Sequence, residues 1–273
     1  MLDGVILLWF VLTAMALLFV AIDIRTTPES PVLKWGFVLV TAYTGVFGAF
    51  LYVLGCREPL PGLHEQYTSA RWRQTLGSTM HCVAGDGVGI LVGAALAGVL
   101  HLSGWWEVIL EYVLGFAFGW MIFQALFMRD MVGGSYSRSL TSTFIPELLS
   151  MNLLMAGMVP VMMLLKMHLG GASPTSPVFW FVMSMALLVG AILAYPMNWW
   201  LVSYHLKHGM MTVRAKPVAA HVHGAPAAAP APEMQGMDMG RKPTPYPPVP
   251  VMTLLSFAAF AVGLAIAWLF GSM

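Results

Sequence analysis

The chain has 273 residues, a net charge of +1, 59% hydrophobic residues and only 9% charged ones, where an ordinary soluble domain carries about a quarter charged residues. So small a net charge leaves no clustered basic face for a duplex and excludes nucleic acid as a partner, while a mean hydropathy of +0.78 makes the lipid bilayer the expected surroundings. Two cysteines, Cys56 and Cys82, are too few for a disulfide framework or a four-thiolate zinc site.

Apolar runs of about 20 residues, the length that spans a hydrocarbon core, fall at 4–22, 32–54, 77–100, 105–128, 147–168, 178–202 and 249–271. Lipid tolerates only helices or closed barrels, and alternating ten-residue strands are absent. The expected fold class is therefore all-α, a polytopic transmembrane helical bundle of about seven spanning helices. No basic segment precedes the first run and no small-residue cleavage site follows it, so it is expected to stay as a helix. Residues 1–211 form a six-helix core, 212–248 a flexible tether rich in His, Met and Pro, and 249–273 a last spanning helix.

Ten of the thirteen basic residues lie between the second and third, the fourth and fifth, or the sixth and seventh runs. The positive-inside rule then predicts a cytoplasmic N-terminus. Arg25, Lys34 and Lys166 fall on the other side, and the first two argue locally for the reverse.

Positions three, four, seven or eight apart share a helix face. In the third run, "STMHCVAGDGVGI" sets Cys82 and Asp86 on the face of Gly89 and Gly93, with His81 on the neighbouring one. A carboxylate inside a span is expensive and marks a functional site by default; the bland alternative is a kink cap or a bond to a neighbouring helix. His81 read blandly is an interfacial histidine with one hydrogen bond. Gly85, Gly89 and Gly93 allow close approach of another helix. In the fourth run Glu107 and Glu111 sit in the first turns, where the dipole tolerates acids, and read as structural. The fifth run, "PELLSMNLLMAGMVPVMM", aligns Glu147, Met151, Met155, Met158 and Met162 on one stripe. Thioether sulfur is a soft donor suited to Cu(I), whereas packing is the commoner use of a methionine row. The tether carries "HVHG" and "MQGMDMG", in which His221, His223, Met234, Met237 and Met239 make a copper-collecting composition or incidental low complexity.

The strings "STMHCVAGDGVGI", "EYVLGFAFGWMIFQALFMRDMVGGSY", "FIPELLSMNLLMAGMVPVMM", "FWFVMSMALLVGAILAYPMNWWLV" and "LKHGM" resemble the bacterial membrane family known as domain of unknown function 4396, through residue 211. The resemblance implies a bacterial integral membrane protein of the inner membrane, often associated with copper-handling genes. A weaker similarity, of chemistry rather than kinship, is to eukaryotic high-affinity copper transporters, which combine a methionine pair, a glycine packing pair and Met/His-rich termini.

The expected function is copper handling, as transport or membrane delivery of Cu(I), with the tether collecting the ion and the Met151–Met162 face passing it on. Glu147, His81, Cys82 and Asp86 serve as entry or terminal ligands. The rivals are an assembly subunit of a membrane complex or a homo-oligomer, and a proton-coupled transporter using Asp86 and Glu147. No HExxH, nucleophile elbow or paired-histidine haem signature appears, so an enzyme is not expected.

Overall fold

The computed structural model describes residues 2–129, 134–171, 173–210 and 244–270, and those residues form an all-helical bundle. Six helices are long and apolar enough to cross a membrane: α1 (Leu2–Asp23), α5 (Arg71–Val99), the stretch Trp105–Arg129, α8 (Tyr136–Leu169), α9 (Pro177–Ser203) and α10 (Val249–Phe270). The protein is thus a multi-pass membrane protein. The stretch Trp105–Arg129 is not uniform: α6 (Trp105–Ala117) passes into a π-helical segment, Phe118–Gln124, before α7 (Ala125–Arg129). Serine caps open several helices. Ser30, Ser135 and Ser176 accept the amides of Leu33, Arg138 and Val178, satisfying donors that have no partner within the helix. Pro177 at the first position of α9, and Pro31 at the first position of the helix it opens, add a preset φ.

The second apolar run does not form one span. It makes two short helices, α2 (Pro31–Thr44) and α3 (Val46–Gly55), joined at Gly45, whose φ of +62° is a conformation that favours glycine. A Cβ on Gly48 would lie 2.7 Å from the Thr41 Cα, so the two backbones touch directly after the turn. Farther along, the rings of Phe37 and Tyr52 sit 5.7 Å apart, and α3 therefore runs back alongside α2. Tyr52 donates to Asp23 Oδ2 at 2.7 Å and shares a hydrogen bond with Thr27 at 2.8 Å, while Arg57 pairs with Asp23 at 2.8 Å. Those contacts bring the end of α3 back to the end of α1. The tip reaches the middle of the bundle, where Tyr43 donates to the carbonyl of Val83 at 2.7 Å, partway along α5. Residues 31–55 are a re-entrant hairpin that enters and leaves at one end.

This changes which segments share an end. Beside the close of α1 and the base of the hairpin lies the start of α5. There the Trp72 carbonyl accepts from Tyr195 near the end of α9 at 3.2 Å, and Trp200 of α9 bonds Tyr246 ahead of α10 at 3.3 Å. Ser139 at the start of α8 bonds Ala125 in α7 at 2.6 Å. Of the nine described basic residues, Arg25, Lys34, Arg57, Arg71, Arg73, Arg129, Arg138 and Lys207 sit at this end. Only Lys166 is at the other, together with the start of α1.

α8 holds the centre. Its residues Met151, Leu154, Met155, Met158, Val159 and Met162 are fully buried, packed against α9, where a Cβ on Gly190 would lie 2.7 Å from the Leu154 carbonyl. On the other side, α5 and α6 pack with their backbones close: a Cβ on Gly93 would stand 2.9 Å from the Glu111 Cα, and one on Gly85 2.9 Å from the Gly119 Cα. The four-residue glycine spacing of α5 serves this approach, as the sequence predicts.

Candidate functional site

α5 and α8 bring Cys82, Asp86, Glu147 and Ser150 together in the interior. Cys82 and Asp86 share a face of α5, and Glu147 and Ser150 share a face of α8, one helical turn apart in each case. Cys82 Sγ lies 3.2 Å from both carboxylate oxygens of Glu147, 3.5 Å from Asp86 Oδ2 and 3.1 Å from Ser150 Oγ. The ligand atoms of Cys82, Asp86 and Glu147 all lie within 4.8 Å of one another, and all three residues are fully buried.

Around this trio stands a second set of polar groups. Lys207, just past the end of α9, donates to Glu147 Oε2 at 3.1 Å with only 4% of its side chain exposed. Burial works against its charge, but the nearby Cys82 and Glu147 outweigh it and hold its pKa above the ordinary lysine value. Asn198 Nδ2 donates to Ser150 Oγ at 2.9 Å and to the Ala194 carbonyl at 3.1 Å. Asp86 Oδ1 and Asn198 Oδ1 are buried without a hydrogen-bond partner among the described residues, so the cluster keeps unused acceptor capacity, which is costly unless something else fills it.

Room for the two carboxylates comes from Gly119, in the π-helical segment: a Cβ there would fall on Asp86 Oδ1 and within 2.7 Å of Glu147 Oε1. A π-helical stretch widens the local turn and recurs at functional sites. One turn nearer the start of α6, the space beside Gly115 is bounded by Met151 Cε and the Asp86 carbonyl, at 2.7 and 3.3 Å from where a Cβ would stand. The methionine stripe therefore begins at the edge of the carboxylate cluster.

Toward the far end the same interface continues to carry acids. Glu111 is fully buried with neither carboxylate oxygen hydrogen-bonded among the described residues, and one turn on Glu107 is ion-paired to Lys166. From end to end the polar groups thus run Lys166 with Glu107, Glu111, then Asp86 with Cys82 and Glu147, then Lys207. Two lysines close a file of carboxyl groups.

The sequence-predicted residues distribute unevenly over this arrangement. Cys82, Asp86 and Glu147 meet. Met151, Met155, Met158 and Met162 all face the interior, Met151 at the site and the rest within the apolar core shared with Phe179, Val182, Met183 and Leu187. His81 does not join the trio; its ring rests on Phe127 and Phe123, at 4.7 and 5.9 Å between centroids, beside a cavity of about 10 Å³ lined by Gln124 and His208. Asp86 meets Cys82 of its own helix and Glu147 of α8, while Asn152 of α8 is committed to Tyr112 at 2.7 Å and Ser256 at 3.1 Å. His221, His223, Met234, Met237 and Met239 lie outside the described residues. Sequence reasoning missed Lys207, Ser150 and Gly119. Lys207 counts there only among the topogenic charges, though it stands in the string "LKHGM".

Comparison with known proteins places this geometry within one segment. The family described as domain of unknown function (DUF4396) matches residues 71–207, which begin with α5, end on Lys207 and hold every residue of the cluster. No curated protein and no solved structure matches the chain.

Proposed function

We propose, from the premise that this chain belongs to the DUF4396 family and that the matched segment holds the whole polar cluster, that the protein carries Cu(I) through the bacterial inner membrane by way of Cys82, Asp86 and Glu147. The observation that carries this reading is the convergence of a thiol and two carboxyls, fully buried, beside a cation, the Lys207 ammonium on Glu147 Oε2. Two carboxyls in one buried site exceed the single charge of Lys207, which leaves negative charge for a monovalent metal ion to neutralise. The thiol supplies the soft ligand preferred by Cu(I) over magnesium or calcium. Met151, at the edge of the site, supplies a second soft donor, and Met155, Met158 and Met162 continue from it toward the far end. Lys207 competes with the arriving ion for Glu147, which keeps the site loose enough to release its cargo.

Sidedness follows the charge. With the end that carries eight basic residues in the cytoplasm, the N-terminus lies outside, the reverse of the orientation the seven-run pattern predicts, because the hairpin does not cross. Lys207 then closes the cytoplasmic mouth and the ion pair of Glu107 with Lys166 the outer one.

A second reading, proton movement through the same acids, is favoured by Glu111, which extends the carboxyl file without adding a soft ligand. One set of measurements separates the two. Full-length protein in detergent is titrated with Cu(I) against a chromophoric chelator, and the same protein in liposomes is followed for Cu(I) uptake and for proton flux. The copper reading expects one ion per chain, lost in Cys82→Ser and weakened in Asp86→Asn. Proton flux abolished by Asp86→Asn and untouched by Cys82→Ser, without Cu(I) binding, replaces it with the proton reading.

A further inference from the structure

A second group of ligand-type side chains lies at the base of the re-entrant hairpin, outside both the matched family segment and the Cys82 cluster. Glu29 precedes α2, Cys56 closes α3, and His64 opens α4 (His64–Thr68). All three are buried, Glu29 at 3% exposure and Cys56 and His64 at 0%. Their ligand atoms lie within 4.8 Å of one another. His64 Nε2 is 4.0 Å from Glu29 Oε2 and 3.0 Å from the Cys56 carbonyl, while Glu29 Oε1 accepts the Ser30 amide at 3.0 Å.

We propose that Glu29, Cys56 and His64 form a zinc-class metal site that fastens the base of the hairpin. Three ligands of the thiolate, imidazole and carboxylate types, with a fourth position left for water, are a set that Zn²⁺ takes. Tetrahedral coordination with bonds of about 2.0–2.3 Å puts neighbouring ligand atoms about 3.3–3.8 Å apart. The three donors therefore need to close by about 1 Å, a side-chain adjustment rather than a backbone one. The Ser30 amide holds one oxygen of the carboxylate as an outer-shell partner does, and His64 Nε2 gives up its bond to the Cys56 carbonyl when it takes the ion. Each ligand comes from a different connection, so the ion ties the entry of α2, the exit of α3 and the start of α4 to one point. Through Tyr43 and Val83 that point is linked to α5, one residue from Cys82. Burial, and then the neighbouring Glu29, push the Cys56 thiol well above its usual range, so metal binding there releases a proton.

The chain contains two cysteines, which makes a clean test possible. In full-length Cys82→Ser protein, Cys56 is the one remaining thiol, and any sulfur-to-Co²⁺ charge-transfer band in the near ultraviolet must come from it. The Cu(I) site proposed above is disabled in the same protein, so the two readings fail separately. The expected result is one Co²⁺ per chain, with that band, displaced by Zn²⁺. Adding Cys56→Ser removes the band, and adding His64→Asn or Glu29→Gln weakens Zn²⁺ binding by at least tenfold. Cys82→Ser protein that takes up Co²⁺ without the band, or takes up none, overturns the proposal, and that result stands even if the added substitutions impair folding. Zinc affinity within threefold of the parent in well-folded His64→Asn and Glu29→Gln proteins overturns it too.

Discussion

Glu147→Gln is expected to destabilise the protein more than any other single change in the cluster. The side chains of Glu147 and Lys207 are 0% and 4% exposed, so removing the carboxylate strands a buried ammonium. Breaking a buried ion pair from one side costs about 3–5 kcal/mol. Lys207→Met costs less, because the carboxyl that remains keeps Cys82 beside it at 3.2 Å and can take up a proton. Replacing both partners by neutral groups of similar size is close to neutral for such pairs, so the double variant Glu147→Gln/Lys207→Met regains most of the loss. The coupling between the two sites is expected at about 2–3 kcal/mol, the upper part of the range for residues sharing one network. Unfolding in detergent, followed for the parent, both single variants and the double variant, measures it. Losses that add within about 0.5 kcal/mol mean that Lys207 is not held by Glu147, and the account of an ammonium beside the cation site falls with it.

Gly119→Val is expected to abolish Cu(I) binding, since its Cβ falls on Asp86 Oδ1, whereas Gly4→Ala, with nothing within 4 Å of its Cβ, leaves binding unchanged; chelator competition compares the two. Met155→Leu and Met158→Leu conserve volume and cost under about 1.5 kcal/mol each, so a fall in Cu(I) uptake by liposomes at unchanged stability marks these sulfurs as ligands, and unchanged uptake confines them to packing. Cysteines introduced by Thr26→Cys and Gln66→Cys react with an impermeant maleimide from one side of the membrane and that from Ser173→Cys from the other. Labelling of Thr26→Cys and Gln66→Cys from opposite sides contradicts the hairpin.

Much of the candidate site is visible in the sequence one helix at a time. Asp86 stands out because a carboxylate in a span is expensive, and the spacing to Cys82, like that from Glu147 to Met162, fixes which side chains share a face. What the spacing cannot supply is the meeting of two helices whose residues stand 65 positions apart. Nor does it supply the ammonium that follows α9, since Lys207 lies in a polar connection where a lysine is ordinary. The methionine stripe illustrates the same limit from the other side. Burial of all four sulfurs satisfies a packed interface and a ligand track alike, and only the effect of replacing them on Cu(I) uptake separates the two.

The one spanning segment that the hydropathy pattern misjudges is also the one for which the charge pattern already holds a contradiction. Residues 32–54 have the length and apolarity of a crossing, and nothing in hydropathy distinguishes a span from two half-length helices that turn in mid-membrane. If the segment crosses, Arg25 and Lys34 fall on the side opposite to most basic residues. If it turns back at Gly45, they join them, and eight of the nine described basic residues share one end. The positive-inside rule and the contacts of Gly48 with Thr41 and of Arg57 with Asp23 are independent of each other, since one is a bias in membrane insertion and the other a matter of steric fit and pairing. Their agreement is the physical reason to read residues 31–55 as a hairpin, and it makes the side on which Arg57 emerges, rather than the count of apolar runs, the quantity that fixes the topology of everything after it.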